Sequence, residues 1–124
     1  MSTQQVAQDF VALCRQGQFS EAGEKYWSPD VLSVEAGGGS PMSEVRGLDA
    51  VRGKGEWWEA NHDVHGVVVE GPFPNGDQFA VVFKMDVTFK PENRRFTMEE
   101  VALYTLKDGK IAEERFFYSG GPEA

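Results

Sequence analysis

Glu100, Tyr104, Glu113 and Arg115 interrupt an otherwise apolar alternation in the last third of this sequence, where their types could do chemistry. An unpaired carboxylate among apolar neighbours is costly. Glu100 must therefore be paired, hydrogen-bonded, wetted in a cavity, or held protonated with a raised pKa. The functional reading gives Glu100 or Glu113 an acid/base role and Tyr104 a donor role toward a ligand. The purely structural reading closes Glu100 and Arg115 into an ion pair to which Tyr104 donates.

His62-Asp63-Val64-His65 offers a second set of chemical groups. The spacing resembles metal ligands only loosely, no third ligand is fixed, and there is no HExxH pattern, so the sequence calls for no metal. His62 follows Trp58 by four residues and is expected to hydrogen-bond at a pocket rim or to stack on an indole. Asn61 either aims its amide into that pocket or caps the helix end. The lone Cys14 allows no internal disulfide and reads as a buried small hydrophobe. Gly37-Gly-Gly-Ser-Pro41 reads as a loop tip, without the Lys-Ser/Thr ending of a phosphate-binding loop.

Bulk properties narrow the classes. The chain has 124 residues, enough for one domain over 1–124. Its 12 Lys+Arg against 20 Asp+Glu leave a net charge of −8. Without a basic cluster, neither nucleic acid nor an anionic membrane is an expected partner. No apolar run approaches the ~18 residues of a membrane span, and the polar start is not a signal peptide, so a cytoplasmic protein is expected.

The elements that must position these groups divide into a helical first half and a strand-rich second half. Ser2 and Gln5 have capping-box spacing, and Val6, Phe10, Leu13 and Cys14 recur at helical intervals as far as Gly17. A second helix carries Phe19, Ala22, Tyr26 and Trp27 up to Ser28-Pro29, and a brief strand is expected over Val31 to Glu35. A third helix follows Gly47, with Leu48, Val51, Trp58 and His62 on one face. From Val64 the period becomes two, with runs near 64–70, 78–90, 95–107 and 110–118. Helices followed by a meander imply one α+β domain with the helices packed on one sheet face.

Register separates the two faces of that sheet. With Asp108-Gly109 as a two-residue type I′ turn, Ala102 lies opposite Arg115, Tyr104 opposite Glu113 and Glu100 opposite Phe117. A four-residue turn over 91–94 sets Lys90 opposite Arg95. One face then holds Phe79, Val81, Phe83, Met85, Val87 and Phe89, with Phe96, Met98, Glu100, Ala102, Tyr104 and Leu106, and lastly Ile111, Glu113, Arg115 and Phe117. A one-residue bulge would exchange the faces beyond it. The opposite face mixes Thr97, Glu99, Val101, Leu103, Phe116 and Tyr118 and suits solvent or a second subunit.

The order helix, helix, short strand, glycine-rich loop, helix beginning Gly47-Leu-Asp-Ala-Val, and a meander ending Tyr104-Thr-Leu-Lys-Asp-Gly-Lys-Ile-Ala-Glu-Glu-Arg-Phe-Phe-Tyr118 carries a family likeness. It resembles the SnoaL-like branch of the nuclear transport factor 2-like superfamily over nearly the whole chain. Glu56-Trp-Trp-Glu-Ala-Asn-His62, Gly71-Pro-Phe, Gly76-Asp-Gln-Phe-Ala-Val81 and Glu100-Val-Ala-Leu-Tyr104 are similar to phrases of an uncharacterised SnoaL-like group. The resemblance implies a cone-shaped barrel with a curved mixed or antiparallel sheet, three helices on its concave face, and a pocket between them. It also implies a homodimer through the outer sheet face. Relatives include polyketide cyclases, ketosteroid isomerases, epoxide hydrolases and non-catalytic domains, so the fold does not choose among them. Where the isomerases need a hydroxyl donor, a carboxylate base and a protonated acid, this chain holds Phe10, Ala36 and Ala102, none of which moves a proton. No epoxide hydrolase constellation is recognisable.

The expected function is thus an aromatic-lined pocket for a small apolar metabolite. Its enzymatic form is cofactor-independent acid/base chemistry of a cyclase, isomerase or hydrolase kind. The alternative is a non-catalytic dimerisation or ligand-binding module. Catalytic candidates are Glu100, Tyr104 and His62; ligand-binding candidates are Phe10, Tyr26, Trp58, Asn61, Phe83, Met85, Met98, Arg115 and Phe117.

Overall fold

The structure is a computed structural model, and it describes residues 2–37 and 43–118. Most of the loop tip expected over 37–41 lies outside the described residues. Helix α1 (Thr3–Arg15) begins with the capping box: the Ser2 hydroxyl accepts from the Gln5 amide at 3.1 Å, and the Gln5 side chain accepts from the Ser2 amide at 2.8 Å. Its apolar stripe of Val6, Ala7, Phe10, Val11 and Cys14 is buried.

Helix α2 (Phe19–Tyr26) stops one residue before the expected end, and Trp27 opens strand β1 (Trp27–Val34). Pro29 disfavours helical backbone in the residue before it, so the chain is already extended when it reaches Ser28-Pro29. Strand β1 is accordingly longer than the brief strand expected over Val31 to Glu35. Strand β2 (Glu44–Arg46), too short to leave a period in the sequence, pairs with β1. Gly47, at φ 98°, turns the chain from β2 into α3 (Leu48–Asn61), a conformation that glycine adopts without steric cost.

Strands β3 (His62–Asn75), β4 (Gln78–Phe89), β5 (Arg94–Lys107) and β6 (Lys110–Phe117) complete one six-stranded sheet in the order β2-β1-β6-β5-β4-β3. All neighbours are antiparallel except β1 and β6, which run parallel. The sheet is mixed, curved and not closed. Helices α1 and α3 lie across its concave face, and the core there holds Phe10, Val31, Phe79, Val81, Val87, Ala102 and Ile111. No helix among the described residues is long and apolar enough to cross a membrane.

The expected register holds at the last turn and changes in two places, the β4–β5 connection and the middle of β6. Between β4 and β5, Phe89 faces Arg94 and Val87 faces Phe96, two residues from the expected pairing. A short 3₁₀ turn at Lys90–Glu92 and a left-handed Asn93 (φ 48°) take up the difference. A two-residue slip preserves the faces, so the side of the sheet assigned to Phe83, Met85, Met98, Glu100 and Tyr104 is unaltered. At the last hairpin, Asp108 and Gly109 have the positive φ of a type I′ turn, and Leu106 faces Ile111 as expected. A bulge then intervenes: Thr105 faces Glu113, and Ala112 has no opposite residue. Beyond it Tyr104 faces Glu114, Ala102 faces Phe116 and Leu103 faces Arg115. Arg115, Phe117 and Glu113 therefore belong to the outer face, while Glu114 and Phe116 turn inward.

Candidate functional site

The concave sheet and the three helices leave a cavity of about 700 Å³. Strand β5 supplies Glu100 and Tyr104 from one face, on either side of the small, fully buried Ala102. Four residues of strand separate their Cα atoms by ~13 Å. Tyr104 is held by rings: it stacks on Phe79 at 4.9 Å between centroids and lies 4.7 Å from Phe10. The residue is only 3% exposed and no hydrogen bond reaches its hydroxyl among the described residues; since no fully buried polar atom there is left unpaired, that oxygen opens onto the cavity it borders. Burial holds that phenol well above its ordinary pKa, with Glu114 adding to the effect.

Glu100 sits across from Phe83 on β4. Burial, reinforced by Glu35 and Glu114 and opposed by Lys54, pushes its carboxyl from 4.5 to about 7. Among the described residues no donor reaches it, and Arg115, the partner expected from the sequence, points to the other side of the sheet and bonds Glu113 at 3.1 Å.

The bulge in β6 brings a different group inward. Glu114, 5% exposed, accepts from the Trp27 indole at 2.8 Å and from the Ser33 hydroxyl at 2.7 Å. Ser33 in turn accepts from the Lys54 ammonium at 2.6 Å, and Lys54 pairs with Glu35 at 2.5 Å. The Tyr118 hydroxyl donates to Glu35 at 3.0 Å. Parallel pairing explains the assembly, since Ser33 on β1 lies beside Glu114 on β6, and α3 drops Lys54 onto them. Burial raises the Glu114 pKa, while its bonds to Trp27 and Ser33 pull the other way. Three carboxyls, Glu35, Glu100 and Glu114, thus share one ammonium.

Helix α3 ends at the cavity rim. The His62 ring stacks on Trp58 at 4.3 Å and 12°, and its Nδ1 lies 2.8 Å from the Trp58 carbonyl. A carbonyl only accepts, so Nδ1 carries a proton and Nε2 is left for a ligand. His65 faces the opposite side of the sheet, 2.7 Å from the Thr88 hydroxyl, so the two histidines do not converge.

Of the sequence candidates, Glu100, Tyr104, His62, Phe10, Trp58, Phe83, Met85 and Met98 line the cavity. Four do not. Tyr26 packs behind Phe10, and its hydroxyl donates to Asp9. Asn61 donates to the Trp57 carbonyl at 2.7 Å, the helix-end role. Arg115 and Phe117 lie outside through the bulge. Sequence reasoning missed Trp27, Ser33, Lys54 and Glu114, and reached Glu35 only as the neighbour of the isomerase base position held here by Ala36. One signal for the last was present: Ile111 and Phe116, five residues apart, face the same side only if a bulge lies between them.

Several solved structures share this architecture. A Mesorhizobium loti protein, provisionally named a SnoaL-like polyketide cyclase and also, in brackets, a carbohydrate phosphatase, is 52% identical. The match covers 95% of this chain and all of that one, with a TM-score of 0.92. A Xanthomonas campestris protein of unknown function with a cystatin-like fold is 20% identical over 99% of this chain and 95% of its own, at TM-score 0.78. AclR of Streptomyces galilaeus, provisionally named a hydroxylase, is 19% identical over 97% and 90%, at TM-score 0.71. These last two share the fold alone. No curated protein matches the chain. The sequence matches the SnoaL-like domain over residues 1–118, and with the helix-covered mixed sheet described above, the chain belongs to the SnoaL-like family.

Proposed function

We propose that the cavity binds a compact, largely apolar molecule and that Glu100 exchanges a proton with it without a cofactor. The observation that carries this reading is a carboxyl at a cavity wall, free of protein hydrogen bonds among the described residues and poised at about 7. A group whose pKa lies near ambient pH is populated in both forms, so it takes a proton and returns it with little penalty either way. The Tyr104 hydroxyl donates to a ligand oxygen, and its pKa, far above neutrality, keeps it a donor rather than an anion. His62 Nε2 is an acceptor at the rim. Phe10, Trp58, Phe83, Met85 and Met98 supply the apolar walls. The provisional name of the Mesorhizobium loti relative, a polyketide cyclase, is compatible with this reading, since carbon–carbon ring closure beside a carbonyl begins with removal of a proton there.

The test is a thermal-shift screen of neutral aromatic ketones and phenols on wild type and Glu100→Gln, followed by NMR of deuterium uptake beside the carbonyl of any compound that binds. Binding to both proteins with exchange in wild type alone supports the reading. Exchange of equal rate in the variant removes Glu100 from the chemistry, and no stabilising compound removes the pocket.

A second reading is a non-catalytic homodimerising module. Val101 and Phe117 are paired across β5 and β6 on the outer face and are 39% and 51% exposed. Sedimentation of wild type beside Phe117→Lys tests it: a dimer that dissociates in the variant supports this interface, and a wild-type monomer excludes it.

A further inference from the structure

Resting on the cavity reading above, we infer that the site selects its ligand by charge, admitting uncharged and ammonium-bearing aromatic molecules and rejecting carboxylates and phosphates of the same shape. Among the described residues, the charged side chains on the cavity side are Glu35, Glu59, Glu100 and Glu114 against the lone ammonium of Lys54, Glu99 turning to the outer face beside Lys84. That ammonium is already spent: it pairs with Glu35 at 2.5 Å and donates to Ser33 at 2.6 Å. No arginine borders the space among the described residues. An entering anion therefore finds no unengaged cation and meets Glu100, whose carboxyl has no protein donor.

A basic nitrogen meets the opposite conditions. It places donors against the Glu100 oxygens and lies among aromatic rings whose faces attract cations. The cavity already shows this contact, with Lys54 Nζ 5.1 Å from the Phe116 ring centroid. Tyr104 adds a second, independent recognition point. Its hydroxyl, which borders the cavity in a residue only 3% exposed, offers one donor to an ether, hydroxyl or carbonyl oxygen of the ligand. The favoured occupant has an aromatic body, an acceptor oxygen toward Tyr104, and a neutral or protonated donor toward Glu100.

Three probes of one shape separate this proposal from the pocket itself: 2-naphthylmethanol, 2-naphthylmethylammonium and 2-naphthoate. Binding is measured by calorimetry at about pH 8 on the full chain. The expected result is ammonium at least as tight as alcohol, and carboxylate at least about tenfold weaker than either, the sense that one uncompensated charge imposes at cavity distances. In Glu100→Gln, whose fold is checked separately by circular dichroism and cooperative thermal unfolding, the gap between ammonium and carboxylate should narrow. Carboxylate binding equal to alcohol overturns charge selection and leaves the pocket standing. Failure of all three probes overturns the pocket and the selection together. An unchanged gap in Glu100→Gln overturns the role given to Glu100.

Discussion

Replacing Glu100 by Gln removes an ionisable group while keeping its shape, and the structure fixes how stability must then depend on pH. In the fold this carboxyl is pushed to about 7, chiefly by burial, from an ordinary 4.5. Between those values the folded protein binds a proton that the unfolded chain has released, so the contribution of Glu100 to stability falls as pH rises through that window. The difference corresponds to ~3 kcal/mol, fully expressed above about pH 8 and absent below about pH 4. Urea unfolding of both proteins at matched pH values measures it. The stability difference should move in favour of Gln by about 3 kcal/mol from the acidic to the alkaline end, because groups that do not interact with Glu100 cancel in the comparison. A difference that stays constant with pH would refute the argument that the half-buried Glu100 is desolvated without a compensating partner.

Further outcomes follow from the same contacts. Lys54→Met leaves Glu35 and Ser33 without their shared donor and raises Glu100 further; a loss of about 1 to 3 kcal/mol at neutral pH, between the costs for exposed and buried pairs, is expected by denaturation. Unchanged stability there would count against the network. A methyl added at Gly23 would stand 2.3 Å from the Trp27 ring, so Gly23→Ala should displace the indole from Glu114, cost about 1 to 3 kcal/mol and shift tryptophan fluorescence. Burial pushes the Cys14 thiol to about 12, so it should react with a disulfide reagent only after unfolding, and prompt labelling of the native protein would contradict its place in the core.

The parts of the fold that rest on period and local chemistry were legible in the sequence. The Ser2 cap, the stripe from Val6 to Cys14, the Asp108-Gly109 turn and the apolar face of β4 and β5 all follow from local rules. Glu100 and Tyr104 were placed correctly although the β4–β5 turn was misjudged, since an error of two residues leaves side chains on their own face. An error of one does not. The bulge at Ala112 sits where β6 also pairs in parallel with β1, a contact between distant segments that no local pattern encodes. It moved Arg115 and Phe117 outside and brought in Glu114. Ser33 and Lys54 were invisible for the same reason, and Glu35 stood out only by its place next to Ala36. Each is an ordinary polar residue until β1 is laid beside β6 and α3 is packed across both.

The most direct test of the central claim is the protonation of Glu100 itself, followed through the carbon-13 shift of its side-chain carboxyl and assigned by its loss in Glu100→Gln. A midpoint near 7 is predicted, moving upward in Lys54→Met. A midpoint near 4.5 would show a hydrated surface carboxylate and contradict the account of the cavity as an acid/base site.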